Sequence, residues 1–253
     1  SNFFNLSFNG FSINSNNSPI TTKNEEVIIK EEFLSIIANV DNAYITLSPS
    51  DDNITKVVAS NIPDNSSYEF SALVSDNNLK IDLKQKSPIS INILPNNNLT
   101  LAIHLPKKVY DSIKIDSSNT LIKGENISSK EIEIETSNGI INLKNIESDI
   151  LDLSSSNGKI TISGKVNKEI IGETSNGGFD FDLKSIDLPI NLEASNGSIS
   201  MKVENLPTNV TFDTDTSNGS INLFDKYPDN SVVGHGENLV KLRTSNGKIT
   251  IRN

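Results

Sequence analysis

The sequence predicts an all-β protein wound as a β-helix-like solenoid, with a repeat of about 20 residues preceded by short strands. Three observations predict it. The tripeptide Ser-Asn-Gly occurs six times in the second half of the 253-residue chain, with glycines at Gly139, Gly158, Gly177, Gly197, Gly219 and Gly247, so that successive spacings are 19, 19, 20, 22 and 28 residues. Aligned on the asparagine, the flanks fall into apolar columns: six before, Ile132, Leu151, Ile170, Ile190, Phe212 and Val240; three after, Ile141, Ile160, Phe179, Ile199, Ile221 and Ile249; five after, Leu143, Ile162, Phe181, Met201, Leu223 and Ile251. The columns between are mostly polar, the period of a strand with one buried face. Finally, apolar residues make up only 35% of the chain, with no Trp and 4 Tyr, which suits coils that each bury a narrow strip against their neighbours.

Taken in order, residues 1–30 read as a leader, partly disordered, polar and rich in Asn and Ser, with one short strand at Phe8 to Ile13. Residues 31–253 read as a single β-solenoid domain, irregular over 31–110 and regular over 111–253. In the irregular part, alternating segments at Ser35–Val40, Ala43–Leu47, Thr55–Ala59, Tyr68–Val74, Leu79–Leu83, Ile89–Leu94 and Leu99–Leu105 are separated by turn residues such as Asp76-Asn77-Asn78. No helix is expected. A degenerate seventh copy of the repeat lies at Ser118-Asn119, with Ile113, Ile115 and Ile122 in the same columns and Thr120 in place of glycine.

The structural corners are the pairs Asn138-Gly139, Asn157-Gly158, Asn176-Gly177, Asn196-Gly197, Asn218-Gly219 and Asn246-Gly247. Asn and Gly tolerate positive φ at least steric cost, so each pair marks a sharp change of direction. Two geometries use it. As a two-residue hairpin loop it would pair Ile134 with Leu143 and give a long antiparallel meander; as the corner of a coil it would divide two faces of a parallel β-helix. A meander of a dozen strands with a bare apolar face is rarely stable, and the columns favour the coil. Stacked Asn can then form amide ladders, and the residue two before each Asn, which is Thr136, Ser155, Thr174, Ala194, Thr216 or Thr244, is small because little space remains.

Composition bounds the function. A net charge of −10 argues against nucleic acid and anionic membranes as partners. The absence of Cys excludes disulfides and thiolate metal sites. No apolar stretch of transmembrane length and no signal peptide appear in the sequence, and an anchor upstream is the expectation. No phosphate loop, nucleophile elbow or metal-ligating His pair is present, so no cofactor and no catalytic residue is assigned. His104 and His235 are read as surface residues. The one metal candidate is an acidic strip, Glu173, Glu193 and Asp215, in the outward column three before each Asn. Like charges stacked about 5 Å apart repel by roughly a kcal/mol, which a divalent cation would relieve. A solvated acidic edge is the favoured reading of the strip, and no metal site is assigned.

The T-S-N-G-x-I-x-L pattern at this spacing resembles the bacterial putative-adhesin domains of the cell envelope, whose corners read T-S-S/N-G-D-I. Val40 to Leu47 resembles that family's opening strand, Leu79 to Lys84 its middle strand, and Leu101 to Lys107 the apolar strand, Pro and Lys preceding its repeats. The resemblance covers residues 31 to 253. It implies a right-handed, mostly parallel β-helix-like fold outside the cytoplasmic membrane, often tethered near it, and carries no binding residues with it. One departure is that the acidic residue after the corner Gly is here Ile140, Lys159, Gly178, Ser198, Ser220 or Lys248. The reading is a non-enzymatic envelope module that presents stacked ladders to an unidentified surface ligand, protein or polysaccharide. Its alternatives are a carbohydrate-active enzyme and an envelope-sensing or interaction domain whose exposed last coil, Ser245 to Asn253, stacks on another chain.

Overall fold

The structure, a computed structural model, describes residues 4–13, 19–64, 68–86 and 98–253, with side chains from residue 21 onward. Among the described residues there are 21 strands and no helix. In chain order they are β1 Phe4–Ile13, β2 Pro19–Ile29, β3 Ser35–Val40, β4 Tyr44–Pro49, β5 Thr55–Pro63, β6 Tyr68–Ser75, β7 Asn78–Gln85, β8 Thr100–Leu105, β9 Val109–Ser117, β10 Leu121–Glu125 and β11 Ser128–Thr136. Two long strands follow, β12 Ile140–Ser155 and β13 Ile160–Asn176, then β14 Phe179–Leu183, β15 Ile190–Asn196, β16 Ile199–Val203, β17 Val210–Asn218, β18 Ile221–Leu223, β19 Val232–Val233, β20 Asn238–Asn246 and β21 Ile249–Arg252. The expected strand at Ile89–Leu94 lies outside the described residues.

Alternation in the sequence becomes alternation in burial because one face of each strand is dry. β3 and β8, for instance, both read half-buried, buried, half-buried throughout. Pairing between successive repeats is parallel: Ile134 lies between Ile115 and Leu153, and Ile141 pairs with Ile160, so the hairpin reading of Asn-Gly is excluded. Each repeat contributes one strand before its corner and one after it, and these build two faces. The first runs β6, β7, β3, β9, β11, the later parts of β12 and β13, β15, β20, β17 and β19. The second runs β1, β2, β5, β8, β4, β10, the earlier parts of β12 and β13, β14, β16, β21 and β18. The apolar columns of both faces meet in one continuous core from Val27 to Ile251. Packing there is tight: Gly172 interrupts an apolar column, and a methyl group in its place would lie 2.7 Å from both Phe179 and Leu192.

Two expectations are corrected. The leader is not a leader with one short strand, because β1 and β2 form an antiparallel hairpin whose second strand pairs with β5, extending the second face beyond β8. The last coil is not an exposed end either. β20 lies between β15 and β17, and β21 between β16 and β18, so residues 238–252 are interleaved one layer inside the stack. The outermost coil is instead 210–223, its edge partly covered by β19 and by a turn in which the Lys226 and Tyr227 N–H groups donate to the Leu223 carbonyl. The opposite end has the same device: β3 and β4 lie inside the layer made by β7 and β8.

Candidate functional surface

The corners are not where positive φ is spent. None of the twelve Asn and Gly residues of the six corners has φ in the left-handed region; that region holds Asn42, Asn126, Asn145 and Gly164, among others. Glycine is required at the corners because stacked backbones touch. A methyl group on Gly158 would lie 1.9 Å from the Gly139 carbonyl oxygen, one on Gly177 2.1 Å from that of Gly158, and one on Gly197 1.6 Å from that of Gly177. Column identity thus comes from close approach between coils, not from turn conformation.

The side chains exploit the same stacking. Eight asparagines form one ladder in the spatial order Asn42, Asn119, Asn138, Asn157, Asn176, Asn196, Asn246, Asn218, each Nδ2 donating to the Oδ1 before it at 2.5–3.0 Å. Asn42 and Asn119 belong to it although neither precedes a glycine. At one end Asn42 also hydrogen-bonds the Tyr68 side chain, whose pKa is raised by burial in spite of that bond. At the other, Asn218 Oδ1 accepts no hydrogen bond among the described residues. The small column has chemistry as well as size. Thr136 donates its hydroxyl to the Ser118 carbonyl, Ser155 to Gly139, Thr174 to Gly158, Thr244 to Gly197 and Thr216 to Gly247. Ala194, in the same column, has no hydroxyl to give.

The acidic strip does not exist as three neighbouring carboxylates. Glu173 and Glu193 are in register, but the interleaved coil sets Arg243 between Glu193 and Asp215. Arg243 donates to both Asp213 carboxylate oxygens at 3.0 and 3.1 Å, and Lys241 lies 3.4 Å from Glu193. Among the described residues no three His, Asp or Glu side chains converge on a metal position. Negative charge concentrates lower in the stack, around Asp152. Burial, then Glu133, Glu131, Glu169 and Glu135, raise its pKa above the usual carboxylate value.

His104 stands on the second face with Nδ1 3.2 Å from Ser48 Oγ; His235 is exposed between Gly234 and Gly236, both in the left-handed region. A hollow of about 280 Å³ is lined by Pro49, Leu105, Pro106, Val109, Tyr110 and Ile127, together with the polar Lys107, Lys108, Asn126 and Ser128. Tyr110 stacks on Phe33 and donates its hydroxyl to the Pro106 carbonyl at 2.6 Å. Lys108 lies over both rings, donates to the Phe33 carbonyl at 2.6 Å and sits 3.6 Å from Glu32. No sequence signal marked this cluster, because its members come from chain segments far apart, at residues 32–33, 49, 105–110 and 126–128.

Among the described residues no helix is long and apolar enough to cross a membrane. No curated protein matches the chain. Among solved structures it is similar to a "putative adhesin" of Parabacteroides distasonis (13% identity, TM-score 0.50, 90% of this chain and 95% of that one), which supports the fold alone. A "putative adhesin" of Bacteroides fragilis (16%, TM-score 0.49, 90% and 96%) and a "putative cell adhesion protein" of Clostridium sporogenes (17%, TM-score 0.45, 91% and 99%) are also similar. The Toastrack DUF4097 family profile matches residues 33–223 and, in a second overlapping placement, 122–252. With parallel coils, stacked corners and a profile match over most of its length, this chain belongs to the Toastrack DUF4097 family.

Proposed function

We propose that the chain is a non-enzymatic envelope module, a single right-handed solenoid domain whose second face β1 and β2 extend. It displays rigid rows of side chains to a surface protein or polysaccharide outside the cytoplasmic membrane. The observation that carries this reading is the register: parallel stacking turns each outward sequence column into a row with strand spacing. The first face presents Glu133, Glu135, Asp152, Glu173 and Glu193 in such rows, and this favours a partner with complementary positive charge. Interfaces built on stacked strands also lose little side-chain or backbone entropy on binding, since the surface is preorganised.

The test is to immobilise the domain on arrays of envelope polysaccharides and surface proteins, then compare it with a Glu133→Lys, Glu135→Lys, Glu173→Lys variant of unchanged thermal stability. Binding that weakens with salt and disappears in the variant supports the reading. Binding indifferent to both, or no binding to any cationic partner, overturns it.

A further inference from the structure

We infer that Asn218-Gly219 is a site of spontaneous succinimide formation, the one corner of six at which the folded chain leaves the Asn-Gly reaction open. The six corners share the sequence Ser-Asn-Gly, so their intrinsic chemistry is alike and only the fold can tell them apart. In the reaction the backbone nitrogen of the glycine loses its proton to base and attacks the asparagine Cγ. The N–Cγ bond forms, the Cγ–Nδ2 bond breaks and ammonia leaves with a proton from water. Water then opens the cyclic imide at either carbonyl to give aspartate or isoaspartate. Two groups must therefore be free, the glycine N–H and the asparagine side-chain amide.

Interior corners hold one or both. The Gly177, Gly197 and Gly247 N–H groups each donate to the asparagine carbonyl of the adjacent coil, at 3.1, 3.0 and 3.1 Å. Asn138 and Asn157 have no such glycine bond, but their side chains are clamped on both sides in the ladder and their own N–H groups donate to Ser118 and Ser137. Gly139 is buried and Gly158 half-buried. Asn218 differs from both sets. Its amide makes a single bond, Nδ2 to Asn246 Oδ1 at 2.8 Å, and Gly219 N–H has no partner among the described residues. Gly219 is also the only one of the six glycines that is exposed. The cause is the stack order. Coil 210–223 is outermost, β19 and Asn230 cover β17 only as far as Thr214, and the turn after Leu223 covers β18, leaving Thr216–Ile221 uncovered.

Conversion places a carboxylate, or a backbone lengthened by one carbon, at the open end of the ladder. The buried stack is untouched while the charge of its exposed end changes, so the acid fraction at residue 218 records the age of a surface-held chain.

The test is to age the native full chain at mildly alkaline pH, digest it, and follow each corner peptide by mass and by isoaspartyl methyltransferase labelling. A parallel sample is aged in denaturing urea. The Asn218 peptide is expected to convert roughly tenfold faster than those of Asn176, Asn196 and Asn246, the factor that one additional hydrogen bond represents. All six are expected to convert alike in urea. Asn218→Gln, which would need a larger ring, should silence its own peptide alone. Native conversion at Asn218 no faster than at any one of the other five corners overturns the inference, as does a urea sample that keeps the native ranking.

Discussion

Gly177→Ala separates two explanations of the corner glycine. A methyl group there lies 2.1 Å from the Gly158 carbonyl oxygen and 2.5 Å from its carbon, where ordinary contact begins at 3.4 Å, so the coils must part by more than an ångström. Three hydrogen bonds span that junction: Asn176 N–H to Ser156 O at 2.9 Å, Asn176 Nδ2 to Asn157 Oδ1 at 2.8 Å and Thr174 Oγ1 to Gly158 O at 3.1 Å. Overpacking costs about 1–3 kcal/mol and each bond lost about 0.5–1.5 kcal/mol. With two bonds broken the total is ~3 kcal/mol, a fall in melting temperature of roughly 6–12 °C for a chain of this size. Gly177→Val should cost more. Gly177→Asn should cost as much as Ala, whereas a demand for positive φ would make Asn the tolerated substitute. Lys159→Ala is the control. Its ion pair with Asp180 is 3.7 Å long and half-exposed at both ends, so its loss should stay within about 0.5 kcal/mol. The assay is urea denaturation followed by far-UV circular dichroism, since there is no Trp, with the midpoint compared at constant slope. A Gly177→Ala penalty below ~1 kcal/mol, or a native-like Gly177→Asn, would refute the close-approach argument.

Ala194→Thr should stabilise the chain by about 1 kcal/mol in the same assay, because it supplies the hydroxyl that the other five members of its column donate across the stack. A destabilised variant would mean that the Gly177 carbonyl is already served. Asp152→Asn should raise the melting temperature modestly at neutral pH. The folded-state pKa of Asp152 lies above its unfolded value, so its charge costs stability above the folded pKa and nothing once pH falls below the ordinary carboxylate range; a gain that persists at low pH would contradict this. Asp187 has the opposite sign. Burial pushes its pKa up, but the Thr208 and Asn209 N–H groups and the Thr208 hydroxyl together hold it below the ordinary value. Its contribution is therefore present above the unfolded carboxylate pKa and lost as pH falls through the depressed folded one. Asp187→Ala should cost about 1–3 kcal/mol at neutral pH and progressively less in acid.

The all-β class and the parallel register were legible because burial imposes a period of two within each strand and stacking imposes a period near 20 between coils, and both leave apolar columns in the sequence. What those columns conceal is the order of the layers. Phe212 and Val240 occupy the same column, so nothing in their chemistry says that Val240 stacks on Ile190 and Phe212 on Val240. The acidic strip failed for this reason: Glu193 and Asp215 are neighbours in the repeat count but not in space, and Arg243, counted last, separates them. The corner was misread for a related reason, since turn chemistry is local while the demand for glycine comes from a carbonyl one coil away. Yet the sequence did carry a trace of the interleaving. Skipping a layer and returning to fill it needs extra chain, and the glycine spacing stays at 19 or 20 residues until the coils that do so, where it becomes 22 and then 28. The additional residues form the cap: Phe224 to Glu237 place Tyr227 against Phe212 and Phe224, and β19 against β17. In a solenoid of this kind, two successive lengthened spacings at one end are better read as an interleaved coil and its cap than as an inserted binding loop.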